Sequence, residues 1–184
     1  MKILLSGDWK GRHDPEGRGI GEEWYSPEKP KPAAEGWQSV RVPSCWNCDS
    51  RYERYEGAFW YARTFSVDTG TAPGDADGVE ADGVAPVMDI SIEFHAVNYY
   101  CRAWVNGVEI GSHEGGYLPF ILDIPPDALA EDGDNLLVVM AENHRRSDRI
   151  PGELFDWFNY GGIVRHVELL VRPEKRFESV RIIT

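Results

Sequence analysis

Cysteine is scarce in this chain of 184 residues: Cys45, Cys48 and Cys101 are the three present. An odd number with no evident framework favours a reducing compartment over a disulfide-stapled secreted scaffold. A cytoplasmic location is therefore expected. Cys45-Trp-Asn-Cys48 has CxxC spacing but stands alone. A structural zinc needs four ligands, and no second CxxC or spaced histidine pair follows. A redox CxxC normally opens a helix after a strand, whereas Pro43 and the intervening Trp-Asn read as a turn. No metal, cofactor or thiol chemistry is expected. Basic charge is short as well: 19 Lys and Arg stand against 31 Asp and Glu, for a net charge of −12. No Lys or Arg lies between Arg63 and Arg102. Nucleic acid and anionic membrane, which call for a basic face, are excluded as partners. The acidic residues Asp68, Asp75, Asp77, Glu80, Asp82, Asp89 and Glu93 read as a solvated loop and outward strand positions, without the spacing of a calcium loop. Met1-Lys-Ile-Leu-Leu is too short for a signal peptide, and no run spans a membrane.

What the chain does have is apolar content of 42%, seven tryptophans and short strand-like runs between Gly and Pro turns. That is enough for one domain with its own core. Residues 1–36 are polar and rich in Gly and Pro, with Pro27, Pro30 and Pro32 breaking regular structure; Trp9 is expected to be structural, and the bland reading of the segment is an arm pinned by that ring. Gln38 to Val42 is a short strand, and Gly57 to Val67 is a long one rich in aromatic and β-branched residues. Residues 68–86, dense in Gly and Pro, form a mobile surface loop. Ile90, Ile92, Phe94 and Ala96 alternate with Asp89, Ser91, Glu93 and His95, the period of a half-buried strand. This phase puts His95 on the surface. Ala96 to Val105 continues as a second strand. Asn106-Gly107 is a strong hairpin signal, because both central residues of a type I′ turn need positive φ. Pro119 belongs at an edge or a bulge, and His113 is expected to bond within its own turn. Asp127 to Leu129 makes at most one helical turn. Asn135 to Glu142 is a continuous apolar run fit for a strand buried on both faces. Ile163 to Arg172 and Phe177 to Ile183 read as the last two strands. No stretch reads as a convincing helix, so the chain is all-β and its pattern is that of a sandwich.

The densest chemistry lies in Ile150 to His166. Within it, Phe155 to Tyr160 holds four aromatics, a carboxylate and a carboxamide, followed by a Gly-Gly pair that can turn the backbone into a strand. Rings beside hydrogen-bonding groups suit a sugar, with C–H faces to stack on and hydroxyls to bond. The bland alternative is an aromatic loop that plugs the end of the sandwich. Asp156-Trp-Phe-Asn-Tyr-Gly-Gly-Ile-Val-Arg165 resembles the motif closing the N-terminal sugar-binding domain of glycoside hydrolase family 2. That family includes β-galactosidases, β-glucuronidases and β-mannosidases. Gly7-Asp-Trp-Lys10 resembles the family's opening strand, and Val42-Pro-Ser-Cys-Trp-Asn47, the Tyr61, Arg63 and Phe65 strand, the Trp104 to Gly111 hairpin and His113 to Asp123 are similar to further family segments.

The resemblance implies a jelly roll of the galactose-binding type. By its likeness to the family's β-galactosidase branch, it also implies that Asp156 accepts a hydrogen bond from a sugar hydroxyl at the mouth of a catalytic barrel. Trp157 or Phe158 would be the stacking platform and Asn159 a weaker polar contact. Trp46 either lines a sugar site or caps the core, and Arg165 is expected to pair within the domain. Hydrolysis needs two carboxyl groups, roughly 5 Å apart in retaining enzymes, which the family places on a barrel of about 250 residues. This chain has neither the length nor the alternation for a barrel. No catalytic residue is expected in it. Its expected partners are a carbohydrate, a β-glycoside, and the remaining domains of a glycosidase, with a homo-oligomer left open. Residues 173–184 read as an exit toward a following, immunoglobulin-like domain. A stand-alone, non-catalytic carbohydrate-binding module is the alternative function. A purely structural interaction domain is a third.

Overall fold

The computed structural model describes residues 1–28, 36–67, 88–130, 133–150, 152–154, 156–173, 176–177 and 180–182. Twelve strands are described: β1 (Lys2–Leu4), β2 (Gly7–Asp14), β3 (Gln38–Val42), β4 (Ala58–Ser66), β5 (Met88–Phe94), β6 (Val97–Asn98), β7 (Tyr100–Val105), β8 (Val108–Glu114), β9 (Phe120–Asp123), β10 (Asp134–Glu142), β11 (Gly162–Ile163) and β12 (Val167–Pro173). Among the described residues the only helical segments are single 3-10 turns, at Trp46–Cys48, Ser50–Tyr52 and Pro126–Ala128. The strands form a six-stranded sheet in the order β3-β2-β4-β10-β7-β8 and a four-stranded sheet in the order β1-β12-β5-β9. β11 and β6 make a separate two-stranded pair.

Period-two alternation builds the core between the sheets. Phe59, Tyr61, Leu137, Val139, Ala141, Cys101 and Ala103 from the larger sheet meet Ile90, Ile92, Phe94, Val167, Leu169 and Val171 from the smaller. This is a β-sandwich in which inner faces alternate with outer ones along each strand. β10 was expected to be buried on both faces, and it is. The outer cover is aromatic. Trp60, Trp104, Val138 and Met140 face away from the main core and pack with Trp24. Tyr25 stacks on Trp104 at 5.0 Å, and the Arg12 guanidinium lies 3.5 Å over the Trp24 ring.

Several expectations need correction. Of the two readings of the first residues, the opening strand around Trp9 holds and the arm does not. β1 pairs with β12, and β2 lies inside the larger sheet between β3 and β4. Trp9 is buried there and donates its indole N–H to the Leu5 carbonyl at 2.8 Å. Ala96 to Val105 is not one strand. β6 leaves to pair with β11, and β7 joins β10 and β8. The segment Phe177 to Ile183, expected as a last strand, lies partly outside the described residues; Phe177, Val180, Arg181 and Ile182 are described and exposed. The 68–86 loop lies outside the described residues. Asn106 and Gly107 do carry positive φ, 49° and 87°, and close the β7–β8 hairpin. Pro119 stands directly before β9, at the edge of the smaller sheet.

The solvent face of the smaller sheet solves a charge problem. Glu93 and Glu168 oppose each other directly across β5 and β12, and like charges so placed repel. Lys2 Nζ bridges them at 2.9 and 3.0 Å. His95 is half-buried beside them, its Nε2 3.3 Å from Glu168. The Lys2 and His95 contacts hold the Glu168 carboxyl below its ordinary pKa.

His113 stacks on Phe120 with ring centroids 3.9 Å apart. Its Nε2 is buried without a hydrogen-bond partner. Burial pushes its pKa below the ordinary imidazole value, with a backbone contact from Gly115 acting in the opposite sense. Below about pH 6.5 the unfolded chain binds this proton more readily than the folded one. The contribution to stability is therefore complete above that pH and is lost as the pH falls. His113→Phe is expected to flatten the decline. The check is the difference in urea midpoint between the two proteins at pH 7.5 and at pH 5.5; an unchanged difference would exclude His113 from the effect.

Candidate functional site

The loop 156–160 stands at one end of the sandwich, just before β11. It shows its rings to solvent: Trp157, Phe158 and Tyr160 are 51%, 46% and 52% exposed. Phe158 and Tyr160 lean together at 5.8 Å between centroids. Asp156 is exposed, and among the described residues it accepts no hydrogen bond and joins no ion pair. An exposed carboxylate beside exposed rings retains both its acceptor capacity and its stacking surface.

The base under this tip is held by buried carboxamides from separate parts of the chain. Asn159, 5% exposed, exchanges side-chain-to-backbone hydrogen bonds with Asn143 in both directions. Asn98 donates to Asn159 Oδ1 at 3.1 Å and to the Tyr160 carbonyl at 2.6 Å. Asn143 Oδ1 accepts from Gly57 N at 2.9 Å. Asn47 accepts from Gly161 N at 2.9 Å and donates to the Tyr52 and Tyr55 carbonyls. Buried carboxamides bonded on this scale stiffen a backbone, because each lost bond leaves a desolvated group.

The ring of Trp46 completes the base. It is 4% exposed, stacks on Phe59 at 5.5 Å and donates to the Tyr55 carbonyl at 3.2 Å. Its backbone N–H bonds the Gly161 carbonyl at 3.1 Å. Gly161 has to be glycine, since a Cβ there would stand 1.9 Å from Trp46 Cζ2. Gly162 takes φ 140° against the Ser44 carbonyl.

The structure thus divides the expected site residues. Asp156, Trp157 and Phe158 come together at the exposed tip. Trp46 and Asn159 do not join them: both are buried and bonded within the domain, so Trp46 caps the core and Asn159 holds the loop. Arg165 is exposed and forms no ion pair among the described residues, against the expectation that it pairs within the domain. The residues that sequence reasoning missed are Asn98 and Asn143. The available signal was a carboxamide at the end of an apolar strand, where a polar side chain needs a partner.

Arg145 and Arg149 tie the preceding segment to the sandwich. Arg145 bonds Glu56 at 2.7 Å and donates to the Trp157 carbonyl. Arg149, 7% exposed, bridges Glu114 at 3.0 Å and Glu142 at 2.8 Å. Burial raises the Glu142 pKa, but the Arg149 and His144 hydrogen bonds outweigh it and hold the carboxyl below its ordinary value. Arg149→Met is expected to cost about 2–3 kcal/mol, because it removes a buried cation from two carboxylates. Urea denaturation measures it, and a loss under about 0.5 kcal/mol, the range of ordinary surface changes, would mean the bridge is idle.

Known proteins resemble this chain in sequence and fold. Residues 3–173 match the family described as "Glycosyl hydrolases family 2, sugar binding domain". A β-glucuronidase of Paenibacillus borealis is 28% identical over 186 residues, covering 90% of this chain and 28% of that enzyme. A β-galactosidase of Thermoanaerobacterium thermosulfurigenes is 34% identical over 96 residues, covering 52% of this chain and 13% of its own length. Among solved structures, the Ruminococcus gnavus β-glucuronidase in complex with D-glucuronic acid shares the fold with a TM-score of 0.77 at 27% identity. That match covers 95% of this chain and 30% of the other. The chain spans less than a third of each of these relatives. On a family match that runs over nearly all of its residues, the chain belongs to the sugar-binding domains of glycosyl hydrolase family 2.

Proposed function

We propose that the chain is the sugar-contacting front domain of a larger family 2 glycoside hydrolase. The loop tip at 156–158 meets the substrate at the mouth of a catalytic domain that this chain does not contain. Asp156 accepts a hydrogen bond from a sugar hydroxyl, and Trp157 or Phe158 offers a ring to a sugar face. The single observation that carries this reading is the division within the loop: an open carboxylate beside exposed rings, on a base locked by buried carboxamides. A loop that merely plugged the sandwich would turn its rings inward. The first substrate class is a β-glucuronide, supported by β-glucuronidase relatives that match 90% and more of the chain. A β-galactoside is the second, supported by the higher identity to the Thermoanaerobacterium enzyme over half the chain.

The catalytic pair lies outside this chain, so the chain alone is expected not to hydrolyse glycosides. The test is to read the coding frame past Thr184 and express the longer product. Hydrolysis of a nitrophenyl β-glucuronide or β-galactoside by that product, and none by the 184 residues, supports the reading. A stop codon directly after Thr184, with measurable saccharide binding by the chain alone, would replace it with a stand-alone binding module.

A further inference from the structure

The geometry points to Cys45 and Cys48 as a dithiol–disulfide site, open to low-molecular-weight disulfides, whose closure stiffens the base under the 156–160 loop. Cys48 N donates to the Cys45 carbonyl at 3.2 Å, closing one 3-10 turn. Such a turn keeps its end Cα atoms within about 7 Å, and a disulfide needs about 4.4–6.8 Å. Both residues line the same surface groove, along with Ser44, Asp49 and Tyr52. Cys48 is exposed and Cys45 half-buried, its Sγ 3.6 Å from Asn47 Oδ1. All three cysteines are free thiols, and Cys101 is sealed in the core.

The two residues between these cysteines are the ones that grip the loop. Trp46 N bonds the Gly161 carbonyl, and Asn47 Oδ1 accepts from Gly161 N. Ser44 N bonds the Ile163 carbonyl, and a Cβ on Gly162 would lie 3.4 Å from Cys45 Cα. The turn cannot change shape without moving Gly161, which is two residues from Asn159 and five from Asp156. A covalent link across the turn removes the openings that would release that grip.

The chemistry balances with a small disulfide such as oxidised glutathione. The Cys48 thiolate attacks one of its sulfurs and releases one glutathione thiolate, leaving a mixed disulfide on Cys48. The Cys45 thiol loses its proton to solvent and attacks the Cys48 sulfur, releasing the second glutathione. Two electrons pass from the cysteine pair to the oxidant, which leaves as two thiols. The exposed Cys48 acts first because burial pushes the Cys45 thiol up and lowers its thiolate fraction.

The test is to treat the folded chain with oxidised glutathione, then count thiols in denaturant and map the peptides. The titre is expected to fall from three to one, with Cys45 linked to Cys48 and Cys101 still reduced; dithiothreitol restores it. Amide exchange at Trp46 and Gly161 is expected to slow about tenfold on oxidation. Cys48→Ser is expected to show neither change. Three remaining thiols, or glutathione left on Cys48 with no internal bridge, would overturn the site. A bridge with unchanged exchange at Gly161 would overturn the coupling. The consequence for sugar contact rests on the role of Asp156 proposed above, but the thiol count and the amide exchange do not, so the two readings fail separately.

Discussion

In the larger hydrolase proposed above, Asp156→Asn is expected to lower kcat/KM by about 10- to 100-fold while leaving folding unchanged. The argument is one of exposure and pairing. Asp156 has no hydrogen bond or ion pair among the described residues, so the folded domain loses nothing when its charge is removed. Exposed substitutions of this kind move stability by no more than about 0.5 kcal/mol. A hydrogen bond from a sugar hydroxyl to a carboxylate contributes about 1.5–3 kcal/mol. Asn keeps the shape and one acceptor, so it removes the charge assistance and little else. Steady-state kinetics on a nitrophenyl glycoside, beside a urea denaturation curve, separates the outcomes. An unchanged kcat/KM would remove Asp156 from the substrate. A loss of folding would make it structural.

The second large effect is expected from the opposite kind of residue in the same region. Trp46→Ala should destabilise the domain by about 3–5 kcal/mol, the range for truncating a large buried aromatic. The ring is 4% exposed, stacks on Phe59, fills the space left by Gly161 and bonds the Tyr55 carbonyl. All of this is lost at once, and the cavity lies directly under the base of the loop. Trp157→Ala is the contrast. Its ring is half exposed, so stability should barely move, and any loss should fall on substrate contact. Comparing the urea midpoints of the two variants decides the assignment. If Trp46→Ala costs no more than about 0.5 kcal/mol, the range of surface changes, the ring does not cap the core. If Trp157→Ala unfolds the protein, the exposed tip is structural and the proposed function loses its support.

The two tryptophans show where reading the chain succeeds and where it stops. Both lie in aromatic-rich motifs, and composition alone gives each the same choice between stacking on sugar and filling a core. Their difference is made by the fold: Phe59 and Gly161, distant in sequence, enclose Trp46, whereas Trp157 stays half exposed. Asn159 follows the same logic. Written beside Asp156, it looks like another polar contact. Folded, it is drawn into a network with Asn98 and Asn143 that no local pattern announces.

Period-two alternation, the Asn106-Gly107 turn, the apolar run of β10 and the absence of helical stretches were enough to specify an all-β sandwich. Those signals are local, and each strand carries its own. The motif around Gly161-Gly162 was enough to mark the loop and to suggest a sugar. Only the tertiary structure decided which residues of that loop face outward. It also decided that the first residues enter both sheets as β1 and β2, and that Ala96–Val105 divides between two pairings. Strand pairing and burial depend on contacts between residues up to 170 positions apart, such as Met1 with Val171, and the chemical character of a residue does not say which partner will cover it.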